Sequence, residues 1–354
     1  MMYKIAVIPG DGIGIDVTKE VVKVLEVFRN RKGLSIELEH FDYGADKYLS
    51  TGISMPDEQI EEFKEKYHAI FIGALGDPRI PDMAHARDIL LGIRFKLDLF
   101  VNYRPVWLID PRLCPLKDKT TEDVHFVVFR ENTEGMYAGI GGHLKKNTPD
   151  EVAIQTSVNT YKGVERIIRY AFEYADEHGL NKVTMSDKSN ALRFEGDLWQ
   201  RVFEKVGEDY PGIEKQHLFI DALVMQMVKR PEQFQVIVTS NMFGDIVTDL
   251  GGQLQGGLGI AASGNINPGK ISMFEPVHGS APKYTGQNVA NPVAAILSAQ
   301  LLLEYLGFDR EGKLIENAVI EAIRSDKTTR DFGGKLGTKE VGDFICEEIS
   351  KNLT

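Results

Sequence analysis

Two carboxylates, Asp245 and Asp249, stand four residues apart in the segment "SNMFGDIVTDLGGQLQGG", directly before a run of glycines. This spacing places both side chains on one face of a helix, where like charges destabilise the helix slightly. A divalent cation bound between them would relieve the repulsion. The alternative is a solvated acidic face near the start of a helix, where the helix dipole tolerates negative charge. The pair alone leaves both interpretations open.

Two further residues could complete such a site. Asp221, in "FIDALVMQMV", would be a third hard oxygen ligand if it met Asp245 and Asp249. Mg²⁺ or Mn²⁺ suits an all-oxygen site that leaves positions for substrate and water. Lys188 follows a strand-like segment in "MSDKSNAL", and a buried lysine near a metal would have its pKa lowered towards that of a usable base. A solvated loop lysine is the alternative.

Three arginines and a tyrosine could bind and protonate an acidic substrate. Arg94 and Arg104 lie in "LLGIRFKLDLFVNYRPV", and Arg130 precedes Tyr137 in "FVVFRENTEGMYAG". Guanidinium groups bind carboxylates through paired hydrogen bonds, so three converging arginines would suit a substrate with two carboxylates. Each arginine alone is more often a surface ion pair. The prediction therefore depends on convergence, which spacing cannot establish.

Composition and charge limit the class of protein. The chain of 354 residues is 43% hydrophobic and 26% charged, so it can bury a sizeable core and form about two domains. Its formal charge of −11 argues against a sequence-independent grip on nucleic acid or on an anionic membrane. Cys114 and Cys346 are too few and too scattered for a disulfide framework or a thiolate zinc site, which indicates a reducing compartment.

No segment indicates secretion or membrane insertion. The amino-terminal "MMYKIAVIPGDG" passes straight from a short apolar run into glycines, as a first strand would. The most apolar long segment, "VANPVAAILSAQLLLEYLG", is interrupted by Asn291 and Pro292 and reads as a buried helix. We therefore expect a cytoplasmic protein.

The elements that must position these residues alternate along the chain. Short apolar segments such as "KIAVIPG", "AIFIGALG", "FVVFR", "KVTMSD" and "VIVTSN" predict strands, and "DVTKEVVKVLEVFRN" and "TYKGVERIIRYAFEYADEHG" predict helices. This alternation predicts an α/β fold with strands buried between helices. Ligand groups in such folds gather at the carboxyl ends of strands, where Arg130, Lys188 and Asn241 are expected.

Two segments depart from a simple dinucleotide-binding pattern. In "PGDGIGIDV" the glycines are Gly10, Gly12 and Gly14, and Ile15 stands where the GxGxxG motif would have glycine, so a tight strand-to-helix turn is the alternative. The alternating "VAIQTSV" within "HLKKNTPDEVAIQTSVNT" predicts a hairpin arm. Such an arm could pair with a second subunit or remain a local edge hairpin.

Several motifs together resemble a known family. The segments "GDGIG", "RENTEG", "NMFGDIVTDL" and "FEPVHGSAP" followed by "NVANP" are similar, in order, to motifs of the β-decarboxylating dehydrogenases, which oxidise malate-type 2-hydroxy acids. The resemblance covers the chain from about residue 1 to residue 354. It implies the isopropylmalate dehydrogenase-like fold: residues 1–99 and 251–354 form a large dinucleotide-binding domain. Residues 100–250 form a small domain across a cleft, with a dimer-forming arm at about 140–160.

The resemblance also implies roles for the site residues. Arg94, Arg104 and Arg130 would hold the malate carboxylates. Tyr137 would protonate the enol carbon after decarboxylation, and Lys188 would manage the proton of the substrate hydroxyl.

The same resemblance implies a shared metal site. Asp245 and Asp249 would bind Mg²⁺ or Mn²⁺ together with Asp221, which in this family comes, like Lys188, from the partner subunit. The metal would stabilise the alkoxide formed during hydride transfer and then the enolate. We therefore expect a homodimer with shared active sites.

The cofactor is expected to be NADP or NAD. The resemblance implies this set of binding residues: His278, Gly279, Lys283, Tyr284, Asn291 and Asn190. NAD-dependent members typically carry Asp after "HGSAP", whereas this chain has Lys283, which would attract a 2′-phosphate. The segment "TTRDFGGKLGT" lacks the second tyrosine and the arginine of the NADP pattern and favours NAD. Charge complementarity leads us to prefer NADP.

Substrate choice depends on the helix "HARDILLGIR". Isocitrate enzymes carry Ser and Asn where this chain has Asp88 and Leu90, so isocitrate is disfavoured; isocitrate and homoisocitrate remain further alternatives. Leu90 and Leu91 could form an apolar wall for a branched substrate group, or simply pack in the core. Arg87 replaces the glutamate usual in isopropylmalate enzymes, and "VNYRPVWLIDPRLCPLK" looks closest to tartrate and D-malate dehydrogenases. Isopropylmalate is the first expectation, and D-malate or tartrate the alternative.

Two other classes explain less of the sequence. A non-catalytic regulatory subunit would tend to lose metal or proton-transfer residues, and this chain keeps them all. A metal-dependent phosphohydrolase would leave "EPVHGSAP" and Tyr137 without a role.

Overall fold

The chain folds into two compact units. In the computed structural model, residues 2–353 are described, apart from the side chain at position 32. Unit 1 comprises Met1–Leu99, Leu108–Thr121 and Gly252–Thr354, and unit 2 comprises Phe100–Trp107 and Glu122–Gly251. The domains expected from the sequence differ from this division at residue 251 and at residues 108–121.

The segment 108–121 packs in unit 1 through contacts with residues remote in sequence. Arg112 pairs with Asp326 at 2.8 Å and donates to the carbonyl of Ile323 at 3.1 Å. Leu108 and Ile109 are buried. Spacing alone cannot reveal partners about two hundred residues away, which explains the difference in boundaries.

Unit 1 is a layered α/β arrangement. Its hydrogen-bonded strands follow the order β2-β1-β3-β12-β11, and all pairs are parallel except β11 with β12. Numbered in chain order, its strands are β1 Tyr3–Gly10, β2 Ile36–His40, β3 Ala69–Ala74, β11 Ala262–Ile266 and β12 Ser272–Pro276. Its helices are α1 Ile13–Lys32, α2 Ala45–Thr51, α3 Asp57–Lys66, α4 Ala84–Lys96, α9 Val293–Tyr305, α10 Asp309–Arg324 and α11 Thr338–Lys351.

Hydrophobic periodicity explains the core of unit 1. Every residue of β3 is buried, as expected for a parallel strand covered on both faces. Helix α9 is buried on nearly all sides, which explains why its sequence has almost no polar face. No helix among the described residues is both long and apolar enough to cross a membrane.

Unit 2 carries most of the predicted chemistry. Its hydrogen-bonded strands follow the order β4-β5-β10-β8-β9, parallel except for β4 with β5. Its strands are β4 Val101–Trp107, β5 His125–Glu131, β6 Gly135–Leu144, β7 Val152–Val158, β8 Lys182–Asp187, β9 Glu214–Phe219 and β10 Val236–Thr239. Its helices are α5 Tyr161–Glu177, α6 Arg193–Gly207, α7 Ile220–Lys229 and α8 Asn241–Leu254.

The predicted hairpin is present in unit 2. Strands β6 and β7 pair antiparallel as a separate two-stranded sheet, and β7 covers the whole "VAIQTSV" segment. Its apolar side chains Ile140, Leu144, Val152 and Ile154 are all at least 46% exposed. An isolated two-stranded hairpin with so little burial is only marginally stable by itself.

Candidate functional site

Arg130 is the most completely enclosed of the predicted site residues. It lies in β5 opposite Asn102 of β4, and its side chain is 1% exposed. Its Nε and Nη2 donate to Asn241 Oδ1 at 3.0 and 2.7 Å, and its Nη1 pairs with Asp245. Asn241 begins α8 after β10, so the strand ends and the first turn of α8 fix the guanidinium together.

A glycine allows this close packing. A Cβ added to Gly244 of α8 would lie 2.5 Å from Cγ of Arg130 and 2.6 Å from its Cβ, so the helix approaches the strand more closely than alanine permits.

We therefore expect Gly244→Ala to displace Arg130 and lower kcat/KM by about 10²-fold, since misplacing a binding group by about 1 Å can cost that much. Steady-state kinetics checks this. Gly252→Ala on the same helix is the matched control, because the nearest atom to its added Cβ lies at 3.5 Å. Equal activity of the two variants would contradict the packing argument.

Tyr137 and Asp245 form a hydrogen-bonded pair beside Arg130. The Tyr137 hydroxyl donates to Asp245 Oδ2 at 2.8 Å, and the Arg130 guanidinium lies 5.2 Å from the centre of the tyrosine ring. Burial, and then the hydrogen bond to Asp245, raises the pKa of Tyr137. The phenol therefore stays protonated at neutral pH and can deliver a proton.

Asp245 and Asp249 lie one turn apart on α8, as the spacing predicts. Burial, and then repulsion from Asp245, raises the pKa of Asp249, while Arg104 and Arg130 oppose this rise. Arg104 is buried and donates from Nε to Asn102 Oδ1 at 2.9 Å. The two carboxylates supply oxygen ligands and repel each other across one helical turn, so the residues present fit a hard divalent cation.

Asp221 and Lys188 form a separate pair in unit 2. Lys188 follows β8 and Asp221 lies in the first turn of α7 after β9, with Nζ to Oδ1 at 2.8 Å. This pairing lowers the pKa of Asp221. The Lys188 side chain is 29% exposed. The sequence analysis considered a buried lysine, and the structure shows a partly exposed one. Among residues 2–353, no three acidic, His or Cys side chains are grouped to hold a metal.

Arg94 lies in α4 of unit 1 and is held by a partner that the sequence did not identify. Its Nη2 donates to Glu275 Oε1 at 2.9 Å, and Asn265 Nδ2 donates to the same oxygen at 2.9 Å. Its Nε is buried and has no hydrogen-bond partner in the described structure, which leaves one donor for a ligand. Convergence of this arginine with Arg104 and Arg130 stays a prediction. The motif "FEPVHGSAP" contained Glu275, but its spacing gave no sign of the pairing.

Leu90 and Leu91 differ in environment. Leu90 packs against the hydrophobic core of unit 1, as the alternative interpretation proposed. Leu91 is half-buried and does not belong to that cluster. Both leucines are partly buried, and the apolar wall for a branched substrate group stays a prediction.

The "GDGIG" turn is shaped by its glycines. Gly10 and Gly12 have φ of +73° and +56°. A Cβ added to Gly10 would lie 2.2 Å from a backbone carbonyl oxygen, and a Cβ added to Gly12 would lie 2.1 Å from another. Asp11 between them was missed by the sequence analysis. Its buried carboxylate accepts hydrogen bonds from the backbone N–H groups of Ala45 at 2.6 Å and Gly76 at 2.8 Å, and contacts His85 Nε2 at 2.9 Å.

This turn borders a cleft large enough for part of a dinucleotide. The cleft in unit 1 has a volume of about 850 Å³ and is lined by the turn, by residues 40–44, 46–47 and 50–51, and by Asp77, Arg79, Pro282 and Thr285. Its volume is within the usual range for small-molecule sites.

The predicted cofactor residues are distributed over both units. The Nδ1 atom of His278 contacts the backbone carbonyl of Gly279. Its Nε2 atom is buried and has no hydrogen-bond partner in the described structure. Burial lowers the pKa of His278. Gly279 is exposed. Lys283 and Tyr284 form part of a short 3₁₀-helix, with the ammonium 4.7 Å from the centre of the tyrosine ring. Asn190, in unit 2, is exposed.

Asn291 has a structural role in unit 1. Its Oδ1 accepts from the N–H of Val293 at 3.0 Å at the start of α9, and its Nδ2 donates to Asp331 at 2.9 Å. The side chain is 8% exposed, so its amide is committed to shaping the loop.

The chain matches a known protein family over most of its length. The family model described as isocitrate/isopropylmalate dehydrogenase matches residues 4–345. Proteins named 3-isopropylmalate dehydrogenase from Thermobifida fusca and Corynebacterium jeikeium are 46% and 48% identical, over 98% of this chain and 98% and 99% of theirs.

Solved structures agree with this relationship. Isocitrate dehydrogenase from Methylococcus capsulatus superposes with a TM-score of 0.89 at 35% identity, covering 99% of this chain and 100% of that chain. A β-decarboxylating dehydrogenase from Thermococcus kodakarensis gives a TM-score of 0.80 at 35% identity, covering 99% and 97%. The motif resemblance is thereby confirmed, and this chain belongs to the isocitrate/isopropylmalate dehydrogenase family as a decarboxylating dehydrogenase.

Proposed function

We propose that this protein catalyses the oxidative decarboxylation of 3-isopropylmalate with a nicotinamide dinucleotide and a divalent metal ion. The single observation that carries the substrate is the identity of 46–48% to relatives named 3-isopropylmalate dehydrogenase over nearly the whole chain. The buried arginines and the α8 carboxylates support the reaction class.

Each side chain has a role that its surroundings support. Arg104 and Arg130, both buried and hydrogen-bonded, bind the substrate carboxylates, and the free Nε of Arg94 supplies a further donor. Lys188 would manage the proton of the substrate hydroxyl, and a bound nicotinamide dinucleotide would supply the hydride acceptor. Tyr137, kept protonated by its surroundings, delivers a proton to the enol carbon after carbon dioxide leaves.

Asp245, Asp249 and a partner subunit's Asp221 would hold the metal, which when bound supplies electrostatic stabilisation of the negative charge developing on substrate oxygen. Mg²⁺ and Mn²⁺ both suit carboxylate ligands.

A homodimer would complete the site. The hairpin arm leaves four apolar side chains exposed, and α7 carries two more, Met225 at 69% and Val228 at 48%. Exposed apolar surface of this extent is typical of interaction surfaces. Sedimentation velocity is expected to give a dimer, and fully active monomers would contradict the shared site.

The finer cofactor proposal is that NADP is used at least as well as NAD. Lys283 is exposed and forms no ion pair in the described structure, so it can meet a 2′-phosphate. We expect Lys283→Asp to shift the ratio of kcat/KM for NADP over NAD by about 10²-fold towards NAD, because a cation is exchanged for an anion at the phosphate. Lys270→Asp is a control at another exposed lysine. An unchanged ratio would contradict the proposal.

D-malate or tartrate is the second candidate substrate. Leu90 is partly buried and packs against the core of unit 1, and Arg87, which replaces the usual glutamate, is exposed beside Asp88. Both features weaken the apolar wall that a branched substrate needs.

A steady-state screen decides between them. Isopropylmalate, D-malate, tartrate, isocitrate and homoisocitrate are each assayed with NAD and NADP, with Mg²⁺ and with EDTA. We expect the highest kcat/KM for isopropylmalate and no turnover in EDTA. Preference for D-malate would move the assignment to the second candidate, and turnover in EDTA would overturn the metal requirement.

A further inference from the structure

We propose that Asp187 and His217 are positioning residues that hold Lys188 and Asp221 in place relative to each other. The proposal rests on the functions proposed above for Lys188 and Asp221. It concerns a hydrogen-bonded group, here called the strand brace, that consists of Asp187, Ser189, Gln200 and His217.

Asp187 is a buried carboxylate at the centre of the strand brace. It is 4% exposed and is the last residue of β8. Its Oδ1 accepts from the N–H and hydroxyl of Ser189 at 3.1 and 3.0 Å and contacts His217 Nε2 at 2.8 Å. Its Oδ2 accepts from Gln200 Nε2 at 3.2 Å. A carboxylate with donors on both oxygens is held rigidly, since it cannot turn without breaking several bonds.

The contact between Asp187 and His217 joins two neighbouring strands just before the functional residues. In the parallel register of β8 and β9, Met185 lies opposite His217 and Asp187 opposite Phe219. The imidazole therefore reaches diagonally along the sheet to the end of β8. Lys188 is the next residue after Asp187, and Asp221 is the second residue after Phe219.

The strand brace also fixes the chain beyond Lys188. Gln200 of α6 donates to the hydroxyl of Ser189 at 2.6 Å as well as to Asp187. The backbone carbonyl of Lys188 accepts from the N–H groups of Ala191 at 2.9 Å and Leu192 at 2.8 Å. The backbone on both sides of Lys188 is thus anchored.

The backbone beside Lys188 must be anchored for proton transfer, because the lysine side chain itself is long and flexible. A base must be held within about 0.5 Å of its productive position by residues that are themselves fixed. The Lys188 ammonium meets the Asp221 carboxylate at 2.8 Å, and both are partly exposed, so their own contact does not fix them. The bond between the strand ends supplies the rigidity that this pair lacks, because its Asp187 carboxylate is buried and held by several donors, although the His217 side chain is 31% exposed.

The His217 bond has a defined direction. Both oxygens of Asp187 already accept from the N–H groups of Ser189 and Gln200, so the contact fits a His217 Nε2 that donates its hydrogen. Glutamine places an amide donor near the Nε2 position, whereas leucine has similar bulk and no donor. This difference allows a conservative rescue.

The test compares His217→Leu with His217→Gln in the full-length protein, using kinetics with isopropylmalate and electron paramagnetic resonance titration of Mn²⁺. We expect leucine to lower kcat and Mn²⁺ affinity each by about 10-fold or more, as for other residues that orient ligands, with KM for the substrate changed less than kcat. Glutamine is expected to restore most of both. His178→Leu, on an exposed histidine of the same unit, is the control.

A second variant tests the proposal if His217→Leu does not fold. Gln200→Leu removes a single donor from Asp187 without touching either strand, and we expect a smaller change in the same direction, with unchanged melting temperature. Wild-type kcat and Mn²⁺ affinity in His217→Leu or, if that variant does not fold, in Gln200→Leu would overturn the proposal. So would a loss in His217→Leu that glutamine does not reverse.

A different pattern of results would contradict the proposed function. If Lys188→Ala and Asp221→Asn keep full activity, the roles of those residues are wrong. If they are inactive while His217→Leu matches the wild type, only the strand brace is overturned.

Discussion

Asp245→Asn is expected to lower kcat/KM by about 10³-fold while the protein stays folded. A metal ion stabilises developing charge by several kcal/mol, and each 1.36 kcal/mol corresponds to about tenfold in rate. Tyr137 and Arg130 bond different oxygens of Asp245, so asparagine keeps an acceptor for one of them only, and it removes the negative charge that a cation needs. Because 45% of the Asp245 side chain is exposed, we expect little loss of stability.

The measurements are kcat/KM, the melting temperature and Mn²⁺ affinity. Asp343→Asn is the matched control, since Asp343 is an exposed helical aspartate paired with Lys23 in unit 1. That control is expected to behave as the wild type. Normal turnover by Asp245→Asn, or unchanged Mn²⁺ affinity, would defeat the metal assignment.

Lys188→Ala is expected to lower kcat by about 10²- to 10⁴-fold, the usual contribution of a positioned acid or base. The mutation also removes the ion pair that lowers the pKa of Asp221, so that pKa is expected to rise towards its ordinary value. Folding should persist, since both side chains are partly exposed. Lys182→Ala is the matched control, because Lys182 pairs with Glu214 at the opposite end of the same two strands. Comparable kcat losses in the two variants would contradict a catalytic role for Lys188.

The same variant tests whether sites are shared between subunits. Co-expressed Asp245→Asn and Lys188→Ala chains form mixed dimers in which one site receives intact Asp245 from one chain and intact Lys188 from the other. Random pairing then restores about a quarter of the wild-type sites, although each variant alone is inactive. Activity no higher than the average of the separate variants would show that each chain builds its own site.

Local sequence was sufficient for the elements that carry the chemistry. The segment "KVTMSD" coincides with β8 because a short apolar run bounded by polar residues is buried on both faces. Helix α8 holds Asp245 and Asp249 on one face because the period of a helix is an intrinsic property of the backbone. Arg130, Lys188 and Asn241 lie at or after the carboxyl ends of β5, β8 and β10. The sequence predicted this because the apolar run of each strand ends there.

Long-range partners were not accessible from spacing. Glu275 holds Arg94 across 181 residues, and Asp11 holds His85 across 74. The attachment of residues 108–121 to unit 1 also depends on partners far along the chain. None of these pairs leaves a periodic signal, because a single hydrogen bond between distant residues imposes no pattern on either segment.

The amino-acid sequence by itself determined the alternation of strands and helices, the family and the residue types available for catalysis, since periodicity and motifs are local properties. Only the tertiary structure decided that Leu90 packs against the core, that Gly244 must lack a side chain beside Arg130, and that Asp187 is bonded to His217. These outcomes depend on which surfaces meet when the chain packs, and that is set by the whole fold and not by neighbours in sequence.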